Sequence, residues 1–214
     1  MQMLKGPQLP LTGEFIGFEG NVAKSSRIAI VPTGGVLRKD KPGRSGRKAE
    51  KELLALHAWD ALLSLHNAET EDPTLHVHSP KPYGIDALGR IYMELLPGVS
   101  GDKLMIGEYE IAAGGTSVEK ISKEFGKRVG RLMRIKEIEG LSHGDMRPRH
   151  LLMDADRGRL SVIDVENSRV DRVKAQKEHL DLRRELSQLA FTRKEILANI
   201  TRAMEEGFEA PIDG

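Results

Sequence analysis

Two carboxylates stand where chemistry could be done. Asp145 follows His143-Gly144 and precedes Met146-Arg147-Pro148-Arg149-His150, while Asp164 follows Leu160-Ser161-Val162-Ile163 and precedes Val165-Glu166. Between them lie two short apolar stretches, Leu151 to Met153 and Leu160 to Ile163, joined by an Asp/Gly turn. That pattern predicts a hairpin, which returns the chain near its start and makes neighbours of carboxylates 19 positions apart. Carboxylates are hard oxygen donors and proton acceptors. Taken singly, an Asp after Gly is equally a turn residue, and an Asp at a strand end equally a cap.

The elements that must position this pair are readable on both sides. Upstream, Val118, Ile121, Phe125, Val129, Leu132 and Ile135 share one face of a long helix whose other face is rich in Lys and Arg. Thr116 or Ser117 caps it, with Glu119 at the capping-box offset from Thr116. Its apolar face reads as core rather than as a membrane face, because Glu119, Glu124 and Glu137 interrupt the basic charge. Downstream, a loop through Lys174 leads to a helix from Glu178 to Leu189 and a last helix from Thr192 to Glu206.

The N-terminal part reads as strands with one helix. Glu14 to Glu19 and Arg27 to Val31 are strand candidates around a turn containing Gly17 and Gly20, whose amides could lie over phosphates. A third strand starts at Val36-Leu37, ends in Arg38-Lys39-Asp40-Lys41 and is stopped by Pro42-Gly43. A helix then runs from about Ser45 or Arg47 to His66, its apolar face set by Ala49, Leu53, Leu56, Trp59 and Leu63 and widened by Leu54, Ala58, Ala61, Leu62 and Leu65. Leu75 to His78 is a short strand candidate whose two histidines read as exposed rather than metal-binding. Arg90 to Leu96 is a clear strand closed by Pro97-Gly98.

Composition narrows the classes. The 214 residues suffice for one large domain or two compact lobes. A formal charge of +1 gives no reason to expect nucleic acid as a direct substrate. The absence of cysteine excludes disulfides, thiolate chemistry and Cys-ligated zinc. No stretch approaches the roughly 18 to 20 apolar residues of a spanning helix, so no membrane span is expected and a cytoplasmic location is the default.

The run from His143-Gly144-Asp145 to Ile163-Asp164-Val165-Glu166 resembles the catalytic loop and metal-binding strand end of the protein-kinase-like phosphotransferases. It is most similar to their small atypical members: Bud32-type and RIO-type kinases, aminoglycoside and choline kinases, and lipopolysaccharide sugar (Kdo) kinases. His150 stands where most of them carry Asn, a departure the Kdo-kinase-like branch shares. The resemblance covers about residues 14 to 190 and implies an α+β, two-lobed kinase-like fold with a minimal C-terminal lobe. It puts the lobes at 1–96 and 97–214; only 50 residues follow Asp164, which favours the short types over a full-sized protein kinase.

It also implies roles. Asp145 orients the acceptor hydroxyl and takes its proton; Asp164 binds Mg²⁺, with His150 or Glu166 as further ligand. His150 could instead brace the loop, His143 packs structurally on the strand end, and Arg147 and Arg149 touch acceptor or phosphates. Lys39, ahead of Lys41, contacts phosphates and pairs with a helix carboxylate, Glu50 ahead of Glu52. Gly17 and Gly20 cover the phosphates, and Met93, Glu94 and Leu96 belong to the hinge that meets adenine. Asp181-Leu182 matches a pair that braces the catalytic loop. The implied activity is ATP- and Mg²⁺-dependent transfer to a protein or small-molecule hydroxyl. The alternatives are a pseudokinase scaffold, which His150 favours, and an ATPase subunit of a larger complex with a protein partner.

Overall fold

The computed structural model describes residues 27–31, 35–40, 46–106, 117–189 and 194–211. In chain order the elements are β1 (Arg27–Val31), β2 (Val36–Asp40), α1 (Gly46–Ala68), β3 (Val77–His78), β4 (Pro82–Ile85) and β5 (Ile91–Glu94). There follow β6 (Val99–Ser100), α2 (Gly101–Ile106), α3 (Val118–Glu139), β7 (Leu141–Ser142), β8 (Leu151–Asp154) and β9 (Arg159–Val162). Last come β10 (Arg169–Val170), α4 (Arg172–Leu189) and α5 (Lys194–Glu209). Gly17, Gly20 and the strand expected at Glu14 to Glu19 lie outside the described residues.

The chain divides into two compact units, one of residues 1–60 and 80–96, the other of 61–79 and 97–214. The first holds an antiparallel sheet in the order β1-β2-β5-β4. Leu37 pairs with Met93 and Val36 with Glu94, so the predicted third strand and the Arg90 to Leu96 strand are neighbours. The Asp86 side chain closes the β4–β5 turn by accepting from the amides of Leu88 and Arg90 and from the Tyr92 hydroxyl.

Helix α1 buries a stripe at three- and four-residue spacing: Ala49, Glu52, Leu56, Trp59, Leu63 and His66. Two expectations fail here. Leu54, Ala58, Ala61 and Leu65 do not widen the apolar face but point outward, since a stripe this regular leaves them on the opposite side. Glu50 falls on that exposed side as well.

The second unit is built on α3, whose Ile121, Phe125, Val129, Leu132 and Ile135 are core as the periodicity predicts. Ser117 is its N-cap, accepting from the Lys120 amide at 3.2 Å, and Gly140 in the left-handed region ends it. The other side of α3 exposes Lys120, Lys123 and Arg134 but also takes part in packing. Gly126 and Gly130 lie there, and helix α5 packs on them backbone to backbone. A Cβ at Gly130 would sit 2.0 Å from the Met204 carbonyl oxygen, and one on the facing Gly207 at 1.8 Å from that of Lys127. Arg131 is buried on this side, while Arg128 and Lys136 are buried among the apolar positions of the opposite face. Arg131 donates to the carbonyls of Ala210 and Pro211 and to the Thr70 hydroxyl.

A four-stranded sheet in the order β3-β9-β8-β6 packs in the same unit. Its centre is the predicted hairpin, Leu151 opposite Val162 and Met153 opposite Leu160. His76 and His78 do not share an exposed strand: β3 is only Val77–His78, it runs parallel to β9, and burial holds the half-buried His78 imidazole down at about 4. Helix α4 begins at Arg172, earlier than the period suggested, because Asp171 caps it through the Lys174 amide at 2.9 Å.

Candidate active site

The chemistry-bearing residues fall in two groups, one in each unit. In the second unit Asp145 and Asp164 are positioned by the hairpin and by two histidines. The Asp145 amide donates to His143 Nδ1 at 3.4 Å, and the Asp145 carbonyl accepts from His150 Nδ1 at 2.7 Å. The two imidazoles stack, with centroids 5.7 Å apart and planes 22° from parallel. His143 Nε2 donates to the Ile163 carbonyl at 2.8 Å, and the Ile163 amide donates to the His150 carbonyl at 2.9 Å. The peptide before Asp164 is therefore tied to both histidines, and so is the peptide of Asp145.

The tautomers follow from these partners. His143 must carry its proton on Nε2, where the partner is a carbonyl, and accept at Nδ1. Burial holds it neutral, pushed down to about 4. His150 carries its proton on Nδ1 and accepts at Nε2 from the Arg149 Nε at 3.1 Å.

Asp164 has φ 62° and ψ 42°, and it is the one non-glycine with positive φ among the described residues. An Asp tolerates this region better than most residues, but the conformation persists only where the surroundings impose it. Here the fixed Ile163 peptide and the following turn Val165–Asn167 impose it. Gly144 carries the other sharp bend, at φ 96°, where a Cβ would meet the Asn167 carbonyl oxygen at 2.5 Å.

The loop has a buried brace that the sequence reading missed. Glu178 on α4 accepts from the amides of His143 at 2.9 Å and Gly144 at 2.6 Å, and from Lys136 Nζ at 2.6 Å. Asp181, the residue expected to do this, is one helical turn further on and accepts from Arg184 instead. A carboxylate three residues after Ala175 lies on the buried face of α4 with Leu182 and Leu186, which is the signal that could have found it. Lys174 Nζ and Ser168 Oγ add bonds to the carbonyls of Gly144 and His143.

The Asp145 carboxylate is clamped. Arg147 Nε donates to Oδ1 at 2.7 Å and Arg149 Nη2 reaches Oδ2 at 3.4 Å, while Arg147 also reaches Glu185 at 3.1 Å. Partial burial pushes this carboxyl up, but the Arg147 hydrogen bond and the charges of Arg147 and Arg149 outweigh it, so its pKa is lowered. A cleft of about 240 Å³ opens beside it, lined among others by Met146, Lys174, Lys177 and Arg184.

A divalent cation fits the Asp164 end. The carboxylate oxygens of Asp164 and Glu166 come within 4.8 Å of one another, and two such hard donors suit Mg²⁺. His150 Nε2 lies 3.8 Å from Asp164 Oδ2. That nitrogen is engaged by Arg149, so bracing of the loop is the role its bonds display.

In the first unit Lys39 Nζ meets Glu52 Oε1 at 2.7 Å. The partner expected was Glu50; Glu52 takes its place because it lies on the buried stripe of α1, three residues after Ala49 and four before Leu56. On β5, Met93 is buried, while the amides of Glu94 and Leu95 donate to the carbonyls of Lys81 and Gly35.

Residues 110–203 match the model of the lipopolysaccharide kinase (Kdo/WaaP) family. No curated protein matches the chain. Among solved structures the chain is similar to WaaP in complex with acyl carrier protein, at 18% identity and a TM-score of 0.47 over 89% of this chain and 88% of that one. With an antiparallel sheet in the first unit and the hairpin and most of the helices in the second, the fold is mixed α and β and resembles the protein-kinase-like architecture. The resemblance of this chain is to the protein-kinase-like superfamily, and within it to the lipopolysaccharide kinase (Kdo/WaaP) family.

Proposed function

We propose that this protein is an ATP- and Mg²⁺-dependent phosphotransferase acting on a hydroxyl of a protein or small molecule. One observation carries the reading: a single neutral imidazole, His143, bonds both the Asp145 amide and the carbonyl that precedes Asp164. Two carboxylates with separate tasks are thereby held in one frame. The name of the matched family adds an acceptor class, a sugar hydroxyl of a lipopolysaccharide.

In this reading Asp145 accepts a hydrogen bond from the acceptor hydroxyl and takes its proton as the new O–P bond forms. Asp145 has room to do so once one of its arginines turns to the phosphates. Asp164 and Glu166 hold Mg²⁺, which offsets charge on the phosphates. Lys39, oriented by Glu52, meets the phosphates, and Gly17 and Gly20 cover them. The adenine falls to Met93, Glu94 and Leu96; with the Glu94 amide already engaged, carbonyl groups carry much of that contact.

One observation favours a second reading, a nucleotide-binding scaffold or ATPase subunit. Arg147 and Arg149 occupy both oxygens of Asp145, and Arg149 also caps the nitrogen of His150. Nucleotide titration tests the metal assignment shared by both. ATP should bind at least about tenfold more weakly without Mg²⁺ and to the same degree in Asp164→Ala. ATP binding indifferent to both changes would contradict it.

A further inference from the structure

The described residues include eight large apolar side chains that are exposed, and four of them, Ile138, Val170, Val173 and Leu180, lie on the adjoining end of α3, β10 and α4. Scattered exposed apolar residues are ordinary in soluble proteins, but a cluster is not. Val170 is 84% exposed, Val173 78% and Leu180 68%. They belong to adjoining elements. Strand β10 carries Val170 opposite Leu141, and Arg172, the first residue of α4, reaches the Ile138 carbonyl at 3.4 Å. On α4 the buried positions are Ala175, Glu178, Leu182 and Leu186. At 3.6 residues per turn, Val173 and Leu180 fall on the opposite, outward strip, with Lys177 and Arg184 between and after them.

The charge of this surface is one-sided. Residues 169–184 contain six Lys or Arg and three Asp or Glu. Of the three acids, Glu178 is buried against Lys136, Asp171 accepts from Arg169, and Asp181 accepts from Arg184. Arg172 and Lys177 remain exposed beside the valines and the leucine. Apolar side chains projecting from a basic helix face are complementary to an interface with hydrocarbon below and anionic headgroups above. A soluble acidic protein would satisfy the cations but not favour valine and leucine standing out among them.

We propose that the outward face of β10 and α4 docks on an anionic phospholipid surface, with Val170, Val173 and Leu180 entering the headgroup boundary. The inference stands on this surface alone and holds whichever acceptor is used. The apolar face of α3 is core, as the sequence indicated, and the exposed basic and apolar face is on α4. Because Lys174, Lys177 and Arg184 of α4 also line the cleft beside Asp145, a surface bound there would lie next to that carboxylate.

The full chain should be sedimented with vesicles of phosphatidylcholine alone and with about 30 mol% phosphatidylglycerol. The expected result is at least about tenfold stronger partition to the anionic vesicles, weakened between about 0.1 M and 0.5 M salt. Combined Val170→Ser, Val173→Ser and Leu180→Ser should lower that partition about tenfold with the thermal unfolding midpoint unchanged. As a second reporter, Val173→Trp should shift its emission to the blue on anionic vesicles only. Partition indifferent to lipid charge, or untouched by the triple substitution, would overturn the proposal. So would a concentration-dependent dimer lost in the same triple variant, which would assign the face to a second copy.

Discussion

Each unit contains a lysine paired with a glutamate at almost the same distance, 2.7 Å for Lys39–Glu52 and 2.6 Å for Lys136–Glu178. Their settings differ. Lys136 is fully buried on α3, and burial pushes its pKa down while Glu178 opposes the shift. The same Glu178 carries two backbone amides of the His143-Gly144 turn. Lys39 stands near the end of β2, on a strand whose neighbours are fixed by sheet register. A buried pair stabilises little by itself, since desolvation offsets much of the attraction, but breaking it leaves an uncompensated charge. The difference teaches that one pair shapes a loop and the other presents its lysine.

Substitutions in and around the two pairs, together with acid, sharpen or break that distinction. The largest effect is expected from Glu178→Ala, which orphans Lys136 and two loop amides. Urea unfolding should show a loss of about 3–5 kcal/mol. Glu52→Ala, which takes the carboxylate from one nearly buried lysine but from no loop amide, should cost less than that while lowering phosphoryl transfer more than stability. Equal losses of stability would erase the contrast between the pairs.

Next in size is the response to acid. His143 is neutral in the fold, with its pKa held at about 4 by burial, against an ordinary value near 6.5. The unfolded chain takes up this proton below about pH 6.5, whereas the folded chain does not until about pH 4. Stability should therefore fall by about 3 kcal/mol as pH drops through that window, and be fully present above it. His143→Gln should flatten this segment of the stability–pH curve; an unaltered slope would place the neutral group elsewhere.

A smaller effect tests how α3, which carries Lys136, is seated. Gly130→Ala inserts a methyl against the Met204 carbonyl and should cost about 1–3 kcal/mol, with ATP affinity of the folded fraction unchanged. The smallest effect belongs to Lys136→Met combined with Glu178→Gln, which removes both charges but leaves one of the two loop amides facing the Gln amide nitrogen. It should cost about 1–2 kcal/mol, well below Glu178→Ala. Lys39→Met with Glu52→Gln should also fold, but with transfer reduced at least about a hundredfold.

Much of the site was legible because it is local. The hairpin with its turn, the placing of Asp145 and Asp164 at its mouth and the face of α3 that becomes core all follow from short-range spacing. What escaped is what depends on packing. Glu52 and Glu50 stand two positions apart, and only the buried stripe Ala49–Glu52–Leu56–Trp59 chooses between them. That stripe was present in the sequence, but apolar counting passes over a glutamate within it. Glu178 was hidden in the same way, a charged residue on a buried face. Gly126, Gly130 and Gly207 read as weak helix formers until α5 is laid on α3, when they become the only residues small enough for the contact. Arg131 and Lys136 have their partners about eighty and forty residues away, where short-range spacing gives no sign of them.

The central claim is that Asp145 is the proton acceptor of a phosphoryl transfer. ATP turnover with and without candidate hydroxyl acceptors, wild type against Asp145→Asn, tests it most directly. The account predicts turnover reduced about a hundredfold to ten-thousandfold in the variant, with ATP affinity retained. Equal turnover in the two proteins would contradict it.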